Sequence, residues 1–339
     1  MKALCIHKPG VSSIIELNRP IPSQGEVLIR LRSVAFCGSD LSTFQGRNPM
    51  VQYPRIPGHE ISATVEALGE GVDDLDIGEP VTIIPYTSCG TCPSCRRGRT
   101  NACRDNQTLG VQREGAMTEF MSVPREKVLA VGGLSTTALA LIEPLTVGFH
   151  AVARGEVQAD DKVLISGCGM IGLGAVIGAS ARGAKVAAVD ITSEKLDTAL
   201  AIGAQAGFLS GTSDFQEKVS EWSGGDMADV VIEASGNPNS YRSALESVAF
   251  SGRVCCIGYA MKDVPLTTKL IVQKELDLRG SRNALRSDFE AVIQYLKDRK
   301  DFPIELIVSQ EVNLAGAPDA LSEWSANPEK ITKLVVNLS

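Results

Sequence analysis

Hydrophobic and polar positions follow two rhythms along the chain. Glu26 to Val34 is a mostly apolar run broken by Arg30 and Arg32, and Ile61, Ala63, Val65 and Ala67 alternate with mostly polar neighbours. A period of two predicts strands with one buried face. Turn residues interrupt at Pro20, Pro22, Gly25, Pro54, Pro57, Gly58 and Gly69, so roughly the first 150 residues predict a small β-rich domain with little helix. Beyond about residue 151 short apolar runs alternate with helical patterns. Lys162 to Ser166 reads as a buried strand, Met170 to Arg182 as a helix closed by Gly183, and Lys185 to Val189 as a second strand ending at Asp190. Thr192 or Ser193 caps a further helix running to Gly203, and more strands fit Ala228 to Ile232, Arg253 to Ile257 and Glu275 to Leu278. This alternation predicts an α/β, doubly wound parallel sheet covered on both faces. Ser287 to Lys300 then reads as an amphipathic helix, and Ile331 to Leu338 as a final strand returning to the first domain.

Composition narrows the function classes. With 339 residues, 44% hydrophobic and 22% charged, the chain has the balance of a two-domain globular protein. Its 33 basic and 40 acidic residues give a formal charge of −7, a field that opposes a nucleic-acid backbone. No apolar run approaches the roughly 18 residues of a membrane span, and Met1 to Gly10 lacks the apolar core of a signal peptide, so a cytoplasmic chain without membrane partners is expected. Nine cysteines are too sparse for a disulfide framework, yet four of them fall within fifteen residues. In a reducing compartment that cluster points to metal.

Cys89, Cys92, Cys95 and Cys103 read C-x2-C-x2-C-x7-C. Four thiolates at this spacing can close a tetrahedral shell around zinc, leaving no position for substrate, so the predicted site is structural. Iron–sulfur ligation is the rival reading; it shares the first two gaps, but its fourth cysteine follows after three residues and precedes proline, whereas Cys103 comes after seven and precedes Arg104. Elsewhere Cys37-Gly38-Ser39-Asp40 follows the first long strand and Gly58-His59-Glu60 opens another, so a thiolate and an imidazole can converge. Singly, each has an ordinary reading as a core group.

Gly167, Gly169 and Gly172 form G-x-G-x-x-G between the Lys162 to Ser166 strand and a helix. The first glycine permits the turn, the second admits a pyrophosphate, and the third lets helix and strand pack closely. The helix start at Met170 and Ile171 offers unpaired N–H groups and a positive dipole end to phosphate. Asp190, 18 positions after Gly172, ends the next strand. A carboxylate there accepts ribose hydroxyls and repels a 2′-phosphate, which favours NAD over NADP. Lys195 is a candidate second ribose contact.

Together these residues resemble the zinc-containing medium-chain alcohol and polyol dehydrogenases. The likeness spans nearly the whole chain: the Cys37 and His59 motifs, the cysteine lobe, Ile142-Glu143-Pro144-Leu145 followed by His150, and the glycine fingerprint. It implies a GroES-like β-rich catalytic domain at 1–150, a Rossmann NAD-binding domain at 151–285, and a C-terminal return at 286–339. The Glu143-Pro144-Leu145 segment resembles the sorbitol dehydrogenase branch. Carried over, Cys37, His59 and Glu143 surround a catalytic zinc, with Glu60 an occasional or water-bridged ligand, making two zincs per chain. Ser42, Ala63 and Gly78-Glu79-Pro80-Val81 depart from the usual pattern, and Ser42 stands where many members carry a relay histidine.

The implied reaction is reversible oxidation of a secondary alcohol, hydride passing to NAD+ and Ser39 relaying the proton. A zinc-free quinone or enoyl reductase, or a regulatory protein that kept the fold, is the alternative. The Glu143 segment and Gly280-Ser281-Arg282-Asn283 resemble polyol and sugar-acid enzymes, including L-galactonate 5-dehydrogenase and the starvation-sensing dehydrogenase-like proteins. Arg47, Arg113 and Arg282 are candidates to grip a substrate carboxylate through paired hydrogen bonds. The resemblance also implies a homodimer or homotetramer, with Glu275 to Leu278 as a pairing strand.

Overall fold

In the computed structural model, which describes residues 1–299 and 301–338, the strand Glu26–Phe36 is the spine of one sheet. Glu60–Leu68 lies antiparallel to it with Ala35 opposite Glu60. Leu334–Asn337 pairs its end, Leu334 facing Phe36, and Phe120–Pro124 pairs its start. Pro80–Ile83, Val128–Ala130 and Gln310–Asn313 extend the sheet. Phe36, Ile29, Leu31, Ile61 and Ile83 fill the core with Leu321 and Trp324 from the C-terminal segment. Each such side chain contributes roughly 1.5–3 kcal/mol on burial, so the last residues of the chain stabilise its first sheet. The closing strand is shorter than its apolar run, because Ser309 Oγ takes the backbone N–H of Thr332 at 2.8 Å just before it.

The other sheet has six parallel strands in the order Ala206–Leu209, Lys185–Asp190, Lys162–Ser166, Ala228–Glu233, Val248–Cys256, Asp277–Gly280. In chain order that is 3-2-1-4-5-6, the dinucleotide-binding arrangement. The direction of winding switches between Lys162–Ser166 and Ala228–Glu233, and ligands of such sheets bind beyond the strand ends at that switch. The last strand begins two residues later than the sequence pattern suggests. Glu275, at φ 52°, takes the left-handed turn that ends the helix Thr268–Gln273 and cannot belong to the strand.

The chain separates into two compact units, Met1–Glu143 with Leu296–Ser339, and Pro144–Tyr295. Both crossings fall inside helices, Thr136–Arg154 and Arg286–Asp298. The latter buries Phe289, Val292 and Leu296 at helical spacing; the predicted end of this helix, Lys300, lies outside the described residues. Thr136–Arg154 is long and apolar enough to cross a membrane by length and composition alone. Its apolar window is 72% buried within the fold, as in a core helix.

Candidate active site

Cys37 leaves the spine strand and caps the short helix Gly38–Phe44. Only two apolar residues at helical spacing, Leu41 and Phe44, announce that helix; Asp40 fixes its start by accepting the Cys37 N–H at 2.9 Å. The second oxygen of Asp40 accepts the Gly58 N–H at 3.1 Å. One fully buried carboxylate therefore fastens both loops that carry the thiol and the imidazole. The strand register does the rest, placing His59 and Glu60 beside the end of the spine strand.

The ligand atoms of Cys37, His59 and Glu60 lie within 4.8 Å of one another. His59 is 5% exposed, and among the described residues its Nδ1 is buried without a hydrogen-bond partner, as is the hydroxyl of Ser39. A buried imidazole nitrogen costs about 1–3 kcal/mol if left unmet, so the arrangement suits a cation. The surrounding charge agrees. Burial opposes a charged His59, yet Cys37, Asp40 and Glu143 together hold its pKa well above the ordinary value. Burial likewise disfavours the Cys37 thiolate, but His59 and Lys333 outweigh it and the net direction is down. A pocket that retains an extra proton on imidazole beside a thiolate also favours a divalent metal.

Glu143, 3% exposed, accepts a hydrogen bond from the buried Tyr86 hydroxyl. Burial and that carboxylate push the Tyr86 pKa well up, so the phenol stays a donor. Glu60 meets a partner that the sequence reading missed. Lys333, 2% exposed, donates to both Glu60 oxygens at 2.6 and 2.7 Å and to the Phe36 carbonyl at 3.1 Å. Burial alone would lower its pKa, but the Glu60 carboxylate reverses the direction and keeps the ammonium. The one signal in the sequence was a lysine directly before the apolar stretch Leu334, Val335 and Val336.

The cysteine lobe assembles as its spacing implies. The four sulfurs lie within 4.8 Å of one another, with Cys92 at 3.5 Å from Cys95 and 3.9 Å from Cys103. A tetrahedron of about 2.3 Å zinc–sulfur bonds puts its sulfurs about 3.8 Å apart. Backbone N–H groups of Arg104 and Cys95 draw Cys92 down to about 6, while burial and the neighbouring thiols push Cys95 up to about 12. A divalent cation would let all four ionise together.

In the second unit the glycine loop has the geometry a pyrophosphate needs. Gly167 adopts φ 97°, a Cβ at Gly172 would overlap the Gly167 carbonyl oxygen, and a Cβ at Gly169 would meet nothing within 4 Å. Open space at the middle glycine is where a phosphate would approach. The helix Met170–Ala181 starts there, with Ile171 half-buried at its N-terminus. Asp190, 8% exposed, is held by N–H groups of Cys168 and Ile191, each at 2.7 Å, and Lys195 is half-buried nearby in sequence.

A strand-end thiol and imidazole, a four-thiol lobe and a 3-2-1-4-5-6 sheet with its glycine loop define a metal-dependent dehydrogenase. Residues 23–133 match the alcohol dehydrogenase GroES-like domain and 171–298 the zinc-binding dehydrogenase domain. The chain belongs to the zinc-type medium-chain alcohol and polyol dehydrogenase family, oxidoreductases acting on CH–OH groups with zinc and NAD. It is similar to L-galactonate-5-dehydrogenase of Escherichia coli, 36% identical over 282 residues, 83% of each chain. Among solved structures, galactitol-1-phosphate dehydrogenase from Escherichia coli superposes with a TM-score of 0.92 at 29% identity, covering 100% of both chains. RspB from Escherichia coli CFT073, complexed with NADH, also has a TM-score of 0.92, at 28% identity over 100% of this chain and 99% of that one.

Proposed function

We propose that the enzyme oxidises a secondary hydroxyl of a polyol or sugar acid, with hydride transfer to NAD+. The observation that carries this reading is the meeting of Cys37 and His59 at paired strand ends, with an unpartnered buried His59 Nδ1. In this reading Cys37, His59 and Glu143 hold the catalytic zinc, with Glu60 held beside them, and Cys89, Cys92, Cys95 and Cys103 hold the structural one. When bound, zinc supplies Lewis acidity toward the substrate hydroxyl and NAD+ the hydride acceptor. Asp40 fixes the spacing of the Cys37 and His59 loops, Tyr86 orients Glu143, and the Ser39 hydroxyl relays the proton, accepting it from the substrate oxygen as its own proton passes on toward the ribose and solvent. Gly167, Gly169 and the helix start at Met170 and Ile171 cradle the pyrophosphate; Asp190, with Lys195, binds the adenosine ribose.

A thiolate and one ionised carboxylate neutralise Zn2+, leaving one position for a substrate oxygen. Likeness to dehydrogenases of L-galactonate and galactitol 1-phosphate supports a polyhydroxy substrate of five or six carbons. Such a substrate offers more groups for alignment than ethanol does, and that binding energy can be used at the reacting carbon. The test is NADH formation by the zinc-loaded enzyme with sorbitol, xylitol, L-galactonate and ethanol, repeated with NADP+. A polyhydroxy compound should surpass ethanol, and NAD+ should be preferred at least about tenfold, a difference of about 1.4 kcal/mol from the carboxylate facing a 2′-phosphate. Ethanol as the best substrate would refute the substrate class; equal use of NADP+ would refute the role of Asp190.

A further inference from the structure

The three arginines that the sequence offers for an anionic substrate group are not equivalent in the fold. Arg47 is exposed. Arg282 already has interaction partners. Arg113 is half-buried, its Nε is fully enclosed, and among the described residues it makes no side-chain hydrogen bond or ion pair. The neighbouring carboxylate cannot serve it, because Glu114 is committed to Arg55 at 2.8 Å and to the Ile56 N–H at 2.7 Å. A guanidinium stays charged in any protein environment, so a half-buried one without an anion is costly unless something else supplies the charge. Burial indeed lowers the pKa of Arg113, with no opposing charge to offset it.

Its place in the chain says what that something is. Arg113 lies in the loop between Thr108 and Gly115, and both ends of this loop are tied to residues adjoining the candidate zinc ligands. At one end Thr108 bridges Tyr86, the donor to Glu143, and Leu109 N–H reaches the Pro85 carbonyl at 3.1 Å. At the other, Gly115 N–H bonds Ile56 at 2.8 Å and Ala116 N–H bonds Gly58, the residue before His59, at 2.9 Å. Gly110 and Gly115 lie so close to Pro57 and Gly58 that neither accepts a Cβ without displacing backbone. Within the loop, Gly110 N–H bonds the Arg113 carbonyl at 2.9 Å and the Gln112 side chain accepts the Thr108 N–H at 2.9 Å. The loop is therefore braced from inside and held against the metal site at both ends.

We infer that Arg113 selects substrates with a terminal anionic group, either the carboxylate of a sugar acid or the phosphate of a polyol monophosphate. This deepens the dehydrogenase reading and rests on it. Both groups accept two parallel N–H bonds from one guanidinium, so the residue gives orientation as well as charge. Arg113 is a specificity residue; it takes no part in proton or hydride transfer.

The experiment is steady-state kinetics of the zinc-loaded enzyme with NAD+ on L-galactonate, galactitol 1-phosphate and galactitol, for wild type, Arg113→Gln and Arg113→Lys. One anionic compound should have the lowest KM, and which one it is identifies carboxylate or phosphate as the group bound. Arg113→Gln should raise that KM about 10- to 100-fold with kcat changed by less than about threefold, the cost of losing charge-assisted bonds made in the ground state. The kcat/KM for galactitol should stay within about twofold, a separation that a merely structural role would not produce. Arg113→Lys should recover part of the loss, since it restores the charge without the fork. Titration calorimetry of the preferred anion into the NADH complex should show the same weakening. Equal losses on charged and neutral substrates, or none, would overturn the inference. Oxidation of galactitol alone would leave the dehydrogenase reading standing and remove this one, and oxidation of none of the three would remove both.

Discussion

Lys333 and Glu60 form a buried ion pair beside the candidate metal ligands Cys37 and His59. In the proposed site, a zinc ion held by the Cys37 thiolate and the Glu143 carboxylate would be neutral; adding Glu60 would make the set anionic, and the Lys333 ammonium, paired with Glu60, would restore neutrality. Removing one partner strands a buried charge. Lys333→Met is expected to destabilise the protein by about 3–5 kcal/mol in urea unfolding, and Glu60→Gln combined with it to recover most of that loss. If the double variant unfolds as readily as the single one, the pair is not the source of the cost. Cys37 and His59 were legible in the sequence because each stands in a short motif beside a predicted strand. Lys333 was not, because its partner lies 273 positions away and only the antiparallel pairing of Leu334 with Phe36 brings them together. Tyr86 was missed for the same reason, 57 positions from Glu143.

Elements built from local contacts were the readable ones. The cysteine lobe closes within fifteen residues, with Pro93 opening the helix Pro93–Arg96 and Cys92 at its cap. The buried strand Lys162–Ser166 and the helix Met170–Ala181 lie where the apolar runs put them. Less legible were the helix Gly38–Phe44, whose apolar face is only Leu41 and Phe44 and whose start is fixed by Asp40, and the edge strand displaced by the turn at Glu275. The lobe supplies its own prediction. If the lobe holds a structural metal as proposed, Cys95→Ser opens its shell, and thermal melting should fall by about 5–10 °C while turnover at 25 °C persists. A variant that melts like wild type would make the lobe metal-independent.

At the scale of the whole molecule, the candidate groups divide between the two units: the candidate metal ligands lie in the unit that includes the C-terminal segment, and the glycine loop proposed for the nucleotide lies in Pro144–Tyr295. Change of hydrophobic period revealed the two sheets, because a half-buried antiparallel strand and a fully buried parallel one differ in pattern. It could not reveal that Leu321 and Trp324 complete the first core, since that packing depends on the chain returning. With a formal charge of −7, the overall field repels anions, and only a local cation such as Arg113 would draw an anionic substrate in. The most direct measurement is zinc content per chain by plasma mass spectrometry, for wild type and Cys37→Ser, with turnover recorded on the same samples. Two zinc ions in the wild type, falling to one with turnover abolished in Cys37→Ser, are expected from the two ligand clusters. A wild type holding a single zinc, or an active Cys37→Ser enzyme, would contradict the assignment of Cys37 to the catalytic metal.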